Sequence, residues 1–252
     1  MLDELTKTYD SYVDSYRDSD GRLPPMMQLK RIHTAFVVAN AKAIADGEGF
    51  SPEKREAALS AALLHDTGRY EQLRRYDTFK DSDSVDHAVL SHEIVKGKGW
   101  VSSPAILNAI LYHNRRELPA DMDELTEIAA HTVRDADKLD IFRVLEDQVA
   151  HTDWRKESKA FWNLAVSAPP NPVVADCIER RSPVDYRHIR SLSDFVLIQV
   201  GWMISGLHFA TSRRICNERG HLGFRRKFLR QLTDSPVVDR LCDIALKALE
   251  TI

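Results

Sequence analysis

The sequence predicts an all-α fold on three observations. Apolar residues recur at intervals of three and four nearly everywhere; no run of alternating Val, Ile and Thr bounded by turn dipeptides makes a strand; and the periodic segments open and close on helix punctuation. Composition agrees with a globular core, with 43% hydrophobic and 29% charged residues over 252 positions. No internal repeat or low-complexity tract interrupts the pattern.

Taken in order, helices are expected near 2–17, 26–46, 52–66, 85–97, 103–114, 122–150, 155–167, 173–180, 192–217, 223–232 and 236–250. The first, in "MLDELTKTYDSYVDSYRD", is acidic and lacks the basic region and apolar core of a secretion signal. Gly47 and Gly49 close the second, and Ser51 ahead of Pro52 opens the third, a start signal repeated by Ser103 and Pro104. The Pro-rich "APPNP" at 168–172 is the expected boundary between an N-terminal helical domain, 1–167, and a helical extension, 173–252, packed on it as one compact unit. Within that extension, "FVLIQVGWMISGLHFA" (195–210) is shorter than the roughly 20 residues a membrane span requires, and Gln199, Gly201 and Ser205 break it, so it reads as a buried helix.

Charge and cysteine content narrow the function. Thirty-five Lys and Arg against 38 Asp and Glu leave −3, which argues against nucleic acid as an obligatory partner. Cys177, Cys216 and Cys242 are an odd number, far apart, with no C-x-x-C spacing, so neither a disulfide framework nor a thiolate zinc site is expected. A reducing, cytoplasmic setting fits best, without a membrane partner.

The stretch "AALLHDTGR" (61–69) carries the first chemical clue. A helix made almost wholly of Ala and Leu has no packing use for His65 and Asp66, and an ionised carboxylate there requires a cation or several donors. Three more histidines point the same way by helical phase. His33 shares a face with Leu29, Phe36 and Val37; His87 with Leu90 and Ile94; His113 with Ile106, Ala109 and Ile110. Asp137 sits with Val133, Ile141 and Val144, flanked at +3 by Asp140. A single histidine on an apolar face is ordinarily a hydrogen-bonded core residue. Several buried polar groups together each cost a few kcal/mol without a partner, and one or two divalent cations satisfy them all.

Histidine and carboxylate without thiolate suit Fe, Mn, Ni, Co or Zn, with Mg as a further candidate. His33, His65, Asp66 and Asp137 would ligate one ion and His87 and His113 a second, with Asp66 bridging at the spacing of about 3.5–4 Å that two-metal hydrolases use. Water activated there becomes a nucleophile at neutral pH, with a phosphoryl group as target. Arg69 would supply a guanidinium matched to phosphate, acting with Asp66 in catalysis, and Lys138 is a second cation for substrate. His92, about 140° round the helix from His87, has the wrong phase for a ligand and is placed as a substrate contact.

The order His33, His65-Asp66, His87, His113, Asp137 resembles the H…HD…H…H…D signature of the HD-domain superfamily of metal-dependent phosphohydrolases. "LLHDTGR", "DHAVLSHEIV", "LYHN" and "DADKLD" are similar to that family's successive motifs, over about residues 25–150. The resemblance implies a helical bundle around the metal site and a small phosphorylated substrate: a phosphomonoester, a phosphodiester or a nucleotide. It implies His33, His65, Asp66 and Asp137 as core ligands, and His87 and His113 as the second-ion histidines of dinuclear branches. No Gly-Tyr-Pro tripeptide occurs, which argues against the cyclic-dinucleotide branch. The alternatives are a di-iron oxygenase of the same fold and a non-catalytic module that binds a nucleotide or partner. The basic segment 213–230, with seven Lys or Arg against Glu218, reads as a solvated face or as a wall of an anion pocket through Arg213, Arg214 or Arg225.

Overall fold

A computed structural model describes residues 2–156 and 164–251. The fold is all-α: among the described residues there is no strand, and a single parallel bridge joins Ala165 to Ser191. Contacts divide the chain into two compact units, Met1–Asp140 and Ile141–Ile252, with the division falling inside one long helix and the Pro-rich segment lying within the second unit.

The first unit contains α1 (Leu2–Asp14), α2 (Pro25–Gly47), α3 (Pro52–Leu64), α4 (Gly68–Tyr76), α5 (His87–Gly97), α6 (Pro104–Tyr112) and the start of α7 (Glu124–His151). Helix α3 is its centre. Ser51 accepts a hydrogen bond from the Lys54 amide, Pro52 occupies the first turn, and every residue from Ala57 to Leu64 is buried. An all-round apolar helix of small side chains lets neighbours approach from several sides, and α1, α2 and α6 pack on it. Ser103 precedes Pro104 as expected, but its side chain makes no cap hydrogen bond.

Helix α4 was not expected from the sequence. "GRYEQLRRY" has no apolar stripe, and the segment is helical because Gly68 seats it against α5. A Cβ on Gly68 would lie 2.7 Å from the His87 carbonyl oxygen and 2.7 Å from the Ser91 amide nitrogen. Ser91 Oγ accepts the Gly68 amide at 2.8 Å and donates to the His87 carbonyl at 2.8 Å, so the α4 N-terminus is satisfied by α5.

The second unit holds the rest of α7, then α8 (Pro172–Glu179), α9 (Leu192–Gly201), α10 (Ala210–Glu218), α11 (His221–Leu232) and α12 (Pro236–Glu250). The expected single helix over 192–217 is divided: a π-turn at Trp202–Gly206 ends α9, and Leu207 is extended. The expected helix at 155–167 falls across 157–163, outside the described residues, as do the aromatics Phe161 and Trp162. Arg225, on the basic segment, is fully buried. It donates to Gln199, to Glu146 at 2.7 Å and to the Phe142 carbonyl at 2.9 Å, with its guanidinium over the Phe142 ring. Arg213 donates to the Leu207 and His208 carbonyls, Arg214 pairs with Glu218, Arg226 with Asp243 and Arg230 with Asp239. Much of the segment's charge is thus spent inside the second unit rather than gathered at an anion pocket. No described helix is long and apolar enough to cross a membrane.

Candidate metal centre

Five elements of the first unit aim ligands at one place. His33 comes from the middle of α2, where the buried face runs through His33, Val37, Asn40 and Ile44. Leu29 and Phe36, expected to accompany His33 inward, are instead 40% and 44% exposed. The true inward face is rotated from that expectation, because Asn40 on it is paid for by a hydrogen bond to the Ala136 carbonyl of α7. His65 caps α3, Asp66 follows in the turn before α4, His87 opens α5, His113 caps α6, and Asp137 lies on α7. Asp86 fixes two of these ends together: it accepts from the Ala88 and Val89 amides at the head of α5 and from Asn114, next to His113.

The four imidazoles share one orientation. Nδ1 of His65 lies 2.8 Å from the Ala62 carbonyl, and Nδ1 of His113 lies 2.7 Å from the Ile110 carbonyl. A carbonyl only accepts, so each Nδ1 carries the proton and each Nε2 presents a lone pair. Nδ1 of His33 meets Asp140 at 2.6 Å and Nδ1 of His87 meets Asp81 at 2.6 Å. These are carboxylate-histidine pairs of the kind that orient metal ligands.

The Nε2 atoms then gather around Asp66. Its Oδ2 lies 3.7 Å from His33 Nε2 and 3.6 Å from His65 Nε2, while Oδ1 lies 3.5 Å from His87 Nε2 and 3.9 Å from His113 Nε2. Asp137 Oδ1 stands 3.1 Å from His33 Nε2 and 3.9 Å from His65 Nε2. Two ligand groups result, His33-His65-Asp66 and Asp66-His87-His113, sharing the one carboxylate. A further acidic group, Asp81-Asp86-His87, shares the second histidine, but both its carboxylates are engaged in the hydrogen bonds just described.

Protonation favours cation binding at His65 and His113, but not at His33. Burial holds the His65 imidazole below its usual value, and burial with the neighbouring His87 and His65 holds His113 well below it, so both are neutral donors. For His33, burial and Lys30 oppose charge, but the nearby carboxylates of Asp137 and Asp140 outweigh them and raise the value. Burial alone would raise Asp66. Lys30 and Arg69 reverse this and hold it well below the carboxylate range, and His33 likewise keeps Asp137 ionised. The inward Nε2 atoms of His33 and His65 are buried without a hydrogen-bond partner, and the Nε2 atoms of His87 and His113 face each other at 3.0 Å. Orphaned buried nitrogens cost free energy, and a divalent ion bound at Asp66 would remove that penalty. The residues therefore fit a resident metal.

The expected substrate contacts divide. Arg69 lies at the centre, its Nε 3.5 Å from Asp66 Oδ1 and its Nη1 donating to Gln72, the Phe79 carbonyl and Asp81. Lys138 donates to the Arg134 carbonyl of its own helix, and burial and Arg134 push its ammonium down to about 8. His92 stands outside the ligand groups, its charged neighbours being Lys96 and Glu93 of α5. Two residues were not anticipated. Lys30 Nζ lies 2.6 Å from Asp66 Oδ2, and Asp81 joins Arg69, Gln72 and His87. Lys30 precedes His33 by three residues, a spacing that places both on one side of a helix; Asp81 opens a single 3-10 turn, Asp81–Asp83, too short to show a phase in the sequence.

Residues 31–141 match the family model of the HD domain. No curated protein and no solved structure matches the chain.

Proposed function

We propose that this HD domain, residues 31–141, hydrolyses a phosphate ester at a centre for two divalent transition metal ions. His33, His65, Asp66 and Asp137 would hold one ion, and Asp66, His87 and His113 the second. The observation that carries the reading is the common orientation of the four imidazoles, each Nδ1 committed outward and each Nε2 turned toward one buried carboxylate. When bound, such ions supply the acidity that makes water nucleophilic at neutral pH, and they offset charge on phosphoryl oxygens.

The chain's own residues do the rest. Asp66 offers a different oxygen to each histidine pair, which suits a bridge. Asp140 and Asp81 fix the tautomers of His33 and His87, so that ligand geometry is set before any substrate arrives. Arg69 is held at three acceptors with its guanidinium beside Asp66, which preorganises a planar cation for a phosphoryl group. The small phosphorylated substrate, a nucleotide among the candidates, would lie against this guanidinium.

Protein stripped with chelator and reloaded with Mn, Co, Ni or Fe is expected to release phosphate from aryl phosphates or from members of a nucleotide panel. Asp66→Ala is expected to abolish this. Silence across all metals and substrates would overturn the proposal, and iron-loaded protein that consumes oxygen instead would move it to oxidative chemistry.

A further inference from the structure

We propose that Lys30 is a built-in counter-cation: it holds Asp66 when no divalent ion is bound, and it competes with the first ion for Asp66 Oδ2. The inference rests on the metal centre proposed above and assigns a role to a residue outside its ligand set.

The ammonium of Lys30 lies 2.6 Å from Asp66 Oδ2, with the lysine side chain 18% exposed and the aspartate side chain 3%. That oxygen is the one facing His33 and His65, so the ammonium sits on the atom the first ion requires. An ionised carboxylate this deeply buried is unfavourable without a counter-charge, and the lysine supplies it. An ammonium and a divalent ion on one oxygen repel each other in a poorly screened interior. Each therefore weakens the other's hold on Asp66 Oδ2.

Of the two cations beside Asp66, Lys30 is the one built to move. Arg69 is pinned by Nη1 to Gln72, the Phe79 carbonyl and Asp81, and it approaches the other oxygen, Oδ1. Lys30 carries a single charge on a flexible four-carbon stem, and its ammonium lies 5.6 Å from the centre of the Phe79 ring. The exchange lets the site keep its geometry in the metal-free state, at the cost of weaker ion binding.

The test is calorimetric titration of Co(II) into chelator-stripped protein. Lys30→Met removes the competitor and is expected to tighten the first site by about tenfold, the scale of one charged hydrogen bond, and to lower the melting temperature of the metal-free protein. Lys30→Arg keeps a cation and should bind close to wild type. Equal or weaker Co(II) binding by a cooperatively folded Lys30→Met protein overturns the inference. Should that variant fail to fold, the resonance of isotopically dimethylated Lys30 in wild type decides: it is expected to shift on Zn(II) addition, and a stationary signal overturns the inference. Wild type that binds no divalent ion at all would instead overturn the metal centre itself.

Discussion

Asp140→Asn separates the charge of an outer carboxylate from its shape. Asp140 Oδ2 lies 2.6 Å from His33 Nδ1, and the two residues are 1% and 4% exposed. Asparagine keeps an acceptor oxygen in the same place, so the tautomer of His33 survives while the negative charge that makes its Nε2 a stronger donor is lost. Outer partners of this kind contribute about 10–100-fold to metal affinity, or about 1.4–2.7 kcal/mol. Two effects compete near neutral pH. His33 has a raised pKa partly because of Asp140, so the substitution also lessens proton competition at Nε2. Titration of Co(II) well above the imidazole range eliminates the second effect and exposes the first. Asp140→Leu serves as the severe control, since it leaves the buried Nδ1–H unpaired and is expected to cost a further ~1–3 kcal/mol of stability by denaturant unfolding. Unchanged Co(II) affinity in Asp140→Asn under alkaline conditions would refute the reasoning, because His33 would then not bind through an Nε2 tuned by Asp140.

Two further outcomes can be checked without a substrate. Gly68→Ala forces a methyl to within 2.7 Å of the α5 backbone; overpacking of about 1–3 kcal/mol is expected, and because His87 heads α5, metal analysis should show the second ion lost before the first. Glu146 accepts from His221 and Arg225 at 2.7 Å each. Burial would raise its pKa, but these two partners win and lower it, so its stabilisation is fully present above the ordinary glutamate range and is lost as pH falls through the depressed folded-state value. Glu146→Gln should cost up to about 3 kcal/mol at neutral pH and flatten the acid limb of the stability profile; a parallel acid limb in the variant would show that other carboxylates set it.

Where sequence and structure differ, the reason is physical in each case. Helix α4 has no signal in the sequence because Gly68, Tyr70, Glu71 and Gln72 are its buried residues, a set with no hydrophobic periodicity; what orders it is the close approach to Ser91 and His87. The run from Phe195 to Ala210 reads as one largely buried helix from its apolar composition; Gly201 and Ser205, which interrupt that composition, border and enter the π-turn at Trp202–Gly206 where the helix ends. Leu29 and Phe36 have the right spacing to share a face with His33 and are nonetheless exposed. Spacing gives relative phase, and the neighbouring helices choose which phase faces inward.

Local information sufficed for the helical class and for the helix start at Ser51 and Pro52, and it singled out His33, His65, Asp66, His87, His113 and Asp137 as candidates, because periodicity, capping and donor chemistry are properties of short stretches. Tertiary structure alone decided how those donors are poised. The partner that fixes His33 is 107 residues away, the cation on Asp66 is 36 residues away, and the carboxylate under Arg225 is 79 residues away. A carboxylate is held ionised, or an imidazole nitrogen turned inward, by whatever charge or acceptor the fold brings within about 3 Å, and sequence separation carries no information about that distance.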